Sequence, residues 1–381
     1  MNLNIVVIGL SVTSSWGNGH ATTYRALLAA LARRGHTVTF LERDVPWYRD
    51  HRDLTDPRDW RIHLYKELPE LPRRFGALIR DADLVIIGSY VPDGIAIADW
   101  VTSQAQGVTA FYDIDTPVTL AGLEQGHGLA YLSASMIPRF DLYLSFSGGP
   151  ALAMVQDLYG SPMARVLYCS ADMELYRPRD VPDRWSLGYL GTYSVDRQTQ
   201  LANLLLAPAR AMPDARFAIV GAQYPDDIVW PANVDRMTHL PPHQHADFFA
   251  AQRFTLNVTR ADMRNLGYSP SVRLFEAAAC AAPVLSDGWP GLETIFTPNS
   301  EILVVSSPRD VTTILRDMPE DTRRAIGDRA RRRVLRDHTP DHRARQLEDY
   351  HREALARRAR IARRSAVSAT SDAVELKLGL S

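Results

Sequence analysis

NIVVIGLSVTSSWGNGHATTYRALLAALARRGHTVTFL, Asn4 to Leu41, sets the fold class. An apolar run over Asn4–Ile8 has the length of a strand and gives way to a Gly/Ser-rich loop, Gly9–Gly19. A helical pattern over His20–Arg34 follows and stops at Gly35, a helix-ending residue, before a second apolar run, Thr37–Leu41. This is a strand–helix–strand unit. Leu84–Ile87 before Gly88-Ser89, and Val108–Tyr112 before Asp113-Ile114-Asp115, repeat the apolar strand running into a polar loop. Strands apolar on both faces belong to a parallel sheet covered by helices on each side. A second series follows the Pro- and charge-rich stretch Ser170–Trp185. It comprises strands over Leu187–Leu190, Arg216–Val220 and Phe254–Val258, helices over Arg197–Ala209 and from Ser271, and a strand from Val284. The expectation is two doubly wound α/β domains joined near residue 175: an N-terminal domain of residues 1–172, a C-terminal domain of residues 173–345, and a basic helix with a disordered tail over 346–381. In such sheets ligands sit beyond the carboxyl ends of the strands.

A chain of 381 residues exceeds one ordinary core, which agrees with two domains. Lys and Arg total 43 against 44 Asp and Glu, a formal charge of -1, so no global basic field points to nucleic acid. The two cysteines, Cys169 and Cys280, do not make a disulfide framework and suit a reducing cytoplasm. The first residues lack a basic region before a short apolar run, unlike a signal peptide, and no run approaches the ~18 apolar residues of a membrane span. The basic segment RRARIARR, Arg357–Arg364, reads first as a solvated helix face and second as a peripheral membrane or nucleic-acid contact.

The second informative stretch is SVRLFEAAACAAPVLSDGWPGLETIF, Ser271–Phe296. Arg273 and Glu276 stand one turn apart at the start of an otherwise small and apolar helix. A helix start attracts anions, and a guanidinium there suits phosphate oxygens. Glu276 can accept from two neighbouring sugar hydroxyls. The competing reading is a surface ion pair. Gly17 and Gly19, in SSWGNGHATTY, permit close approach to phosphate or sugar, or simply a flexible loop, and their spacing from Gly9 fits no GxGxxG dinucleotide pattern. In YDIDTP, Asp113 and Asp115 fall on one side if the strand continues, where either could take a proton; a turn before Pro117 is the alternative. His20 and His127 are the other candidate bases. His239, His243 and His245 lie on a Pro-Pro loop entering a helix, and no metal site is expected of them.

The stretch GYSPSVRLFEAAACAAPVLSDGWPGLETIFTPNSEILVV, Gly267–Val305, resembles the donor-binding region of group 1 glycosyltransferases of GT-B fold, most closely their CgeB-like (spore maturation protein) branch. GYLGTYSVDRQ at Gly188–Gln198, LNVTR at Leu256–Arg260, FYDIDTPVTL at Phe111–Leu120 and the Gly9–His36 stretch add to the resemblance, which covers about residues 1–345. It implies two Rossmann-like domains facing a cleft, with a nucleotide-sugar donor held by the second and an unidentified acceptor by the first. By the same resemblance Glu276 meets the nucleotide ribose and Arg273 and Arg197 the diphosphate, with Ser271, Tyr268, Gly191 and Thr192 around the donor. Many group 1 enzymes carry a second glutamate eight positions before the ribose-binding one. Here that position is Tyr268, which leaves the sugar and the stereochemical course open. No DxD pair stands at a donor-side strand end, so transfer without a metal cofactor is expected. A non-catalytic sugar-nucleotide or glycan-binding module is the rival reading, and an epimerase or phosphorylase on a similar frame is a third.

Overall fold

A computed structural model describes residues 2–126 and 128–378. The first sheet holds seven strands: β1 (Asn4–Gly9), β2 (Thr37–Arg43), β3 (Arg61–Tyr65), β4 (Leu84–Gly88), β5 (Val108–Asp113), β6 (Leu142–Ser145) and β7 (Ala164–Val166). Their order is β3-β2-β1-β4-β5-β6-β7, and every neighbouring pair is parallel. The second sheet holds six: β8 (Trp185–Leu190), β9 (Phe217–Val220), β10 (Val234–Met237), β11 (Gln252–Asn257), β12 (Val284–Ser286) and β13 (Leu303–Val304). Its order is β10-β9-β8-β11-β12-β13, again all parallel.

The apolar runs explain this architecture. Ile5 and Val7 face one core layer with Leu27, Leu31 and Phe40, while Val6 and Ile8 face the other with Ile79, Val85 and Ile97. Alternate residues of one strand therefore enter two cores, which requires helices on both faces. The strand order reverses beside β1 and beside β8, and a crevice opens at each reversal.

The expected helix over Arg197–Ala209 is realised in three pieces, Val195–Leu201, a wider π-type turn over Ala202–Leu206, and Ala207–Ala211. Pro208, which has no amide hydrogen to give the preceding turn, follows this widening directly.

The end of the chain departs most from the sequence reading. The helix Pro340–Leu378 returns to the first domain, where Ala344, Leu347 and Ala354 complete the core under β1, β4 and β5. Glu348 accepts from Arg34 Nε (2.6 Å), Arg34 Nη2 (2.7 Å) and His36 Nε2 (2.9 Å), and the Arg34 guanidinium holds its carboxyl down at about 2. Tyr350 donates to the Val166 carbonyl at 3.0 Å. The first half of this helix is thus a clasp across the domains, and exposure becomes continuous only from Ala359 to Arg364. Among the described residues no helix is long and apolar enough to cross a membrane.

Candidate active site

A cavity of about 510 Å³ lies between the two sheets, walled by the loops that leave the carboxyl ends of their central strands. Two helix starts enter it, Gly19–Arg33 from the first domain and Val272–Ala279 from the second, and a Cβ on Gly19 would lie 4.0 Å from Val272 Cγ1. Ten of the sequence candidates line it together: Gly17, Gly19, His20, Asp115, Gly191, Thr192, Arg197, Ser271, Arg273 and Glu276.

On the second-domain side, Arg273 is buried and clamped. Its Nη1 donates to Asn257 Oδ1 at 2.8 Å, its Nε to the Leu190 carbonyl, and its guanidinium carbon lies 4.7 Å from the Tyr189 ring centroid. Side chains at Gly191 or Gly221 would collide with Arg273 and with the Gly191 backbone respectively, so the two strand ends close only because both are glycine. Asn257 Oδ1 also accepts from Ser271 Oγ at 2.8 Å. Ser271 therefore orients on Asn257 and does not cap its own helix, whose first turn has no side-chain acceptor. Arg197 donates from Nη2 to the Thr192 carbonyl at 2.6 Å, and its buried Nε has no acceptor among the described residues. Two guanidinium groups and a positive helix end thus line one side of the cavity, an arrangement suited to an anion.

Glu276 is 4% exposed, and burial pushes its carboxyl up to about 7 against the pull of the Tyr176 hydroxyl and Arg273. Tyr176 is itself bonded to His245 Nδ1 at 3.0 Å, and burial lowers His245 to about 4, so that ring is neutral. A carboxyl group whose folded value exceeds its unfolded one favours the folded state at low pH, and that contribution disappears as pH rises through about 7. Glu276→Gln is accordingly expected to melt with the parent near pH 4.5 and above it at pH 8, by as much as about 3 kcal/mol, because each pH unit of displacement corresponds to about 1.4 kcal/mol. Thermal melts of the ligand-free protein across this range check it, and equal melting at pH 8 would remove the strain assigned to this carboxylate.

On the first-domain side, Glu42 at the end of β2 is fully buried and organises the glycine loop. It accepts from the backbone N–H groups of Val12 (2.7 Å) and Thr13 (2.9 Å) and from the hydroxyls of Ser11 (3.0 Å) and Thr13 (2.5 Å). Gly17 has φ +58, where a side chain would be strained, and Asn18 then caps the helix by accepting from the His20 N–H at 3.1 Å. His20 Nε2 lies 3.6 Å from Asp115 Oδ2, and its buried Nδ1 has no partner among the described residues. Arg260 spans the cleft, with Nη1 3.9 Å from Asp115 and Nε 3.6 Å from Asp196 of the second domain.

Two sequence candidates, Asp113 and Tyr268, take other places. Asp113 does not share a side with Asp115, because β5 ends at Asp113 and the chain turns into the helix Thr116–Glu124. Its Oδ2 accepts from Tyr143 (2.6 Å), its Oδ1 from Thr119 Oγ1 (2.9 Å) and the Asp115 N–H (3.2 Å). It is fully buried outside the cavity lining, and burial pushes it up to about 6. The geometry corrects its role from base to brace of the Asp115 turn. Tyr268, with φ +51, packs its ring on Gly149 and Gly291 and accepts through its carbonyl from Gly148 N–H at 2.9 Å, so it joins the domains outside the cavity. His127 lies outside the described residues.

The three histidines of HLPPHQH do not converge. His239 packs on Trp16 with ring centroids 4.5 Å apart, His243 is exposed beside Gln244, and His245 is held by Tyr176 and the Leu240 carbonyl. Asn257, Arg260 and Tyr90 were not singled out from sequence. The first two lie within LNVTR and could have been weighed residue by residue; Tyr90 carries no local signal.

Residues 197–349 match the family described as "Glycosyl transferase-like". No curated protein matches the chain. Among solved structures, the chain is similar to sucrose-phosphate synthase from Thermosynechococcus elongatus (TM-score 0.65, 15% identity, covering 92% of this chain and 99% of that one). It is also similar to Anabaena Alr3699/HepE in complex with UDP and glucose (TM-score 0.65, 14% identity, covering 91% and 98%). An α-glucosyltransferase in complex with UDP-glucose and DNA containing an abasic site aligns with TM-score 0.67 and 12% identity, covering 92% and 100%. The two facing parallel-sheet domains are the GT-B fold, and the second carries a glycosyl transferase-like region.

Proposed function

We propose that the protein transfers a sugar from a nucleoside diphosphate sugar to an acceptor hydroxyl. The observation that carries this is the buried Arg273 and Glu276 pair at a helix start inside the interdomain cavity. In this reading Arg273, Arg197 and the N–H groups of the Val272–Ala279 helix hold the diphosphate and stabilise its charge as the sugar leaves. Fixed donors of this kind are typically worth about 10²- to 10³-fold in rate for each one removed. Glu276 accepts from the ribose hydroxyls, an exchange of its strained burial for two hydrogen bonds. His20 and Asp115 receive the acceptor's proton on the opposite wall.

UDP-sugars are the first donors to test, since similar structures hold UDP or UDP-glucose. Two arginines and a helix end suffice for the diphosphate, so the reading includes transfer without a metal. The CgeB-like branch, a hexose as the transferred sugar and a cytoplasmic location belong to the same reading and rest on the donor-side motif and the thiol content. The test is incubation with UDP-, GDP- and dTDP-sugars while free nucleoside diphosphate is measured, with and without EDTA. Slow release from one donor, unchanged by chelator, is the expected outcome. Binding without release under any acceptor would make the protein a sugar-nucleotide-binding module, and loss with EDTA restored by Mn²⁺ or Mg²⁺ would place the charge on a metal.

A further inference from the structure

The chemistry of the first-domain wall constrains the acceptor, and this inference rests on the transferase reading above. Leu10, Ile114, Phe146 and the rings of Tyr48 and Tyr90 supply the apolar part of this wall beside small hydroxyl and amide side chains, and among its described first-domain residues the one carboxylate is Asp115, with no Lys or Arg. Arg260 reaches this wall from the second domain and stands between Asp115 (3.9 Å) and Asp196 (3.6 Å), while in the surrounding loops Arg25 pairs with Asp53 (2.5 Å), Arg43 with Asp93 (2.5 Å), and Arg49 and Arg52 share Asp44 (3.0 and 2.6 Å). A phosphate or carboxylate on the acceptor would have to compete with Asp115 and Asp196 for Arg260 and would face the Asp115 carboxylate itself.

The aromatic residues are placed deliberately. Tyr90 has φ +63, an uncommon conformation for a bulky residue that costs free energy and marks functional positions. It sets the ring against His20, with centroids 5.5 Å apart, and against Tyr131 at 4.7 Å. Burial, reinforced by the nearby Asp115 carboxylate, pushes the Tyr90 phenol upward, so it remains a hydrogen-bond donor at neutral pH. Tyr48 and Tyr90 thus bring aromatic rings with polar tips to the cavity, and Thr22 adds a hydroxyl to the same lining. A ring with C–H groups on its face and hydroxyls around its edge satisfies both halves of this surface.

We infer that the acceptor is an uncharged saccharide, bound with a sugar face on Tyr48 and Tyr90 and a hydroxyl at the His20 and Asp115 pair. The experiment uses the full chain, the donor identified by nucleotide release, and four acceptor sets: methyl glycosides of neutral hexoses with their disaccharides, hexose 6-phosphates, simple phenols, and a hydroxymethyl-pyrimidine DNA duplex. Neutral saccharides are expected to raise nucleotide release at least 10-fold over the acceptor-free rate and to yield a glycosylated product. Tyr48→Ala is expected to raise the saccharide KM about 10-fold with donor affinity unchanged. Stimulation confined to phosphorylated sugars, phenols or DNA would overturn the inference while leaving the transferase reading intact. Donor turnover that none of the neutral saccharides accelerates would overturn it too. Failure to bind any donor would instead refute the transferase reading, and this inference with it.

Discussion

His20→Ala and Asp115→Asn are each expected to lower sugar transfer by about 10² or more while donor affinity stays within about 2-fold, since general base catalysis is typically worth 10²- to 10⁴-fold. The two residues come from different strand ends, the loop after β1 and the turn after β5, and are brought to 3.6 Å only by the folded sheet. Asp113→Asn separates this from a merely structural effect. Asp113 holds the turn from beneath through Tyr143 and Thr119, so its variant should lose stability on the order of 1 to 3 kcal/mol and retain more transfer than Asp115→Asn. Steady-state rates with calorimetric donor affinities decide the matter. Transfer at the parental rate in both His20→Ala and Asp115→Asn would remove the pair from proton transfer and leave the departing phosphate as the proton's acceptor, a course that goes with retention at the anomeric carbon.

Arg273→Ala is expected to weaken nucleoside diphosphate binding by roughly 1.5 to 3 kcal/mol, the range for hydrogen bonds to charged groups, or about 10- to 150-fold in Kd. Arg273 also ties Leu190 and Asn257 together, so its loss alone could loosen the wall. Arg273→Lys tells the two effects apart: it keeps one charge but not the planar fork, and should recover only part of the affinity while melting close to the parent. Unchanged donor affinity in Arg273→Ala would overturn the placement of the diphosphate.

Much of the second-domain wall of the cavity was legible in the chain because it is local. Ser271, Arg273 and Glu276 lie within two turns of one helix, and helical spacing alone puts the charged pair on one face. The first-domain wall was legible only as a set of candidates. Whether Asp113 or Asp115 meets the cavity depends on where β5 ends, and that depends on the turn braced by Ser89, Thr119 and Tyr143 from three other segments. Arg260 and Tyr90 acquire their places from contacts across the cleft and from a backbone conformation that no local pattern announces.

The sequence by itself determined the two parallel α/β domains, since apolar runs of strand length alternating with helical periodicity can bury both faces in no other common way. The short strands β3, β7, β10 and β13 escaped that reading because all four sit at sheet edges and carry partly exposed residues, and β13 has only two residues; the interior strand β6, four residues long, escaped it as well. Tertiary structure alone decided that Tyr268 joins the domains, that Asp113 is a brace, and that the helix from Pro340 crosses back to finish the first core. Each of these rests on burial against residues distant in the chain, such as Glu348 on Arg34 and His36, and burial of that kind is a property of the packed whole that periodicity within one segment does not encode.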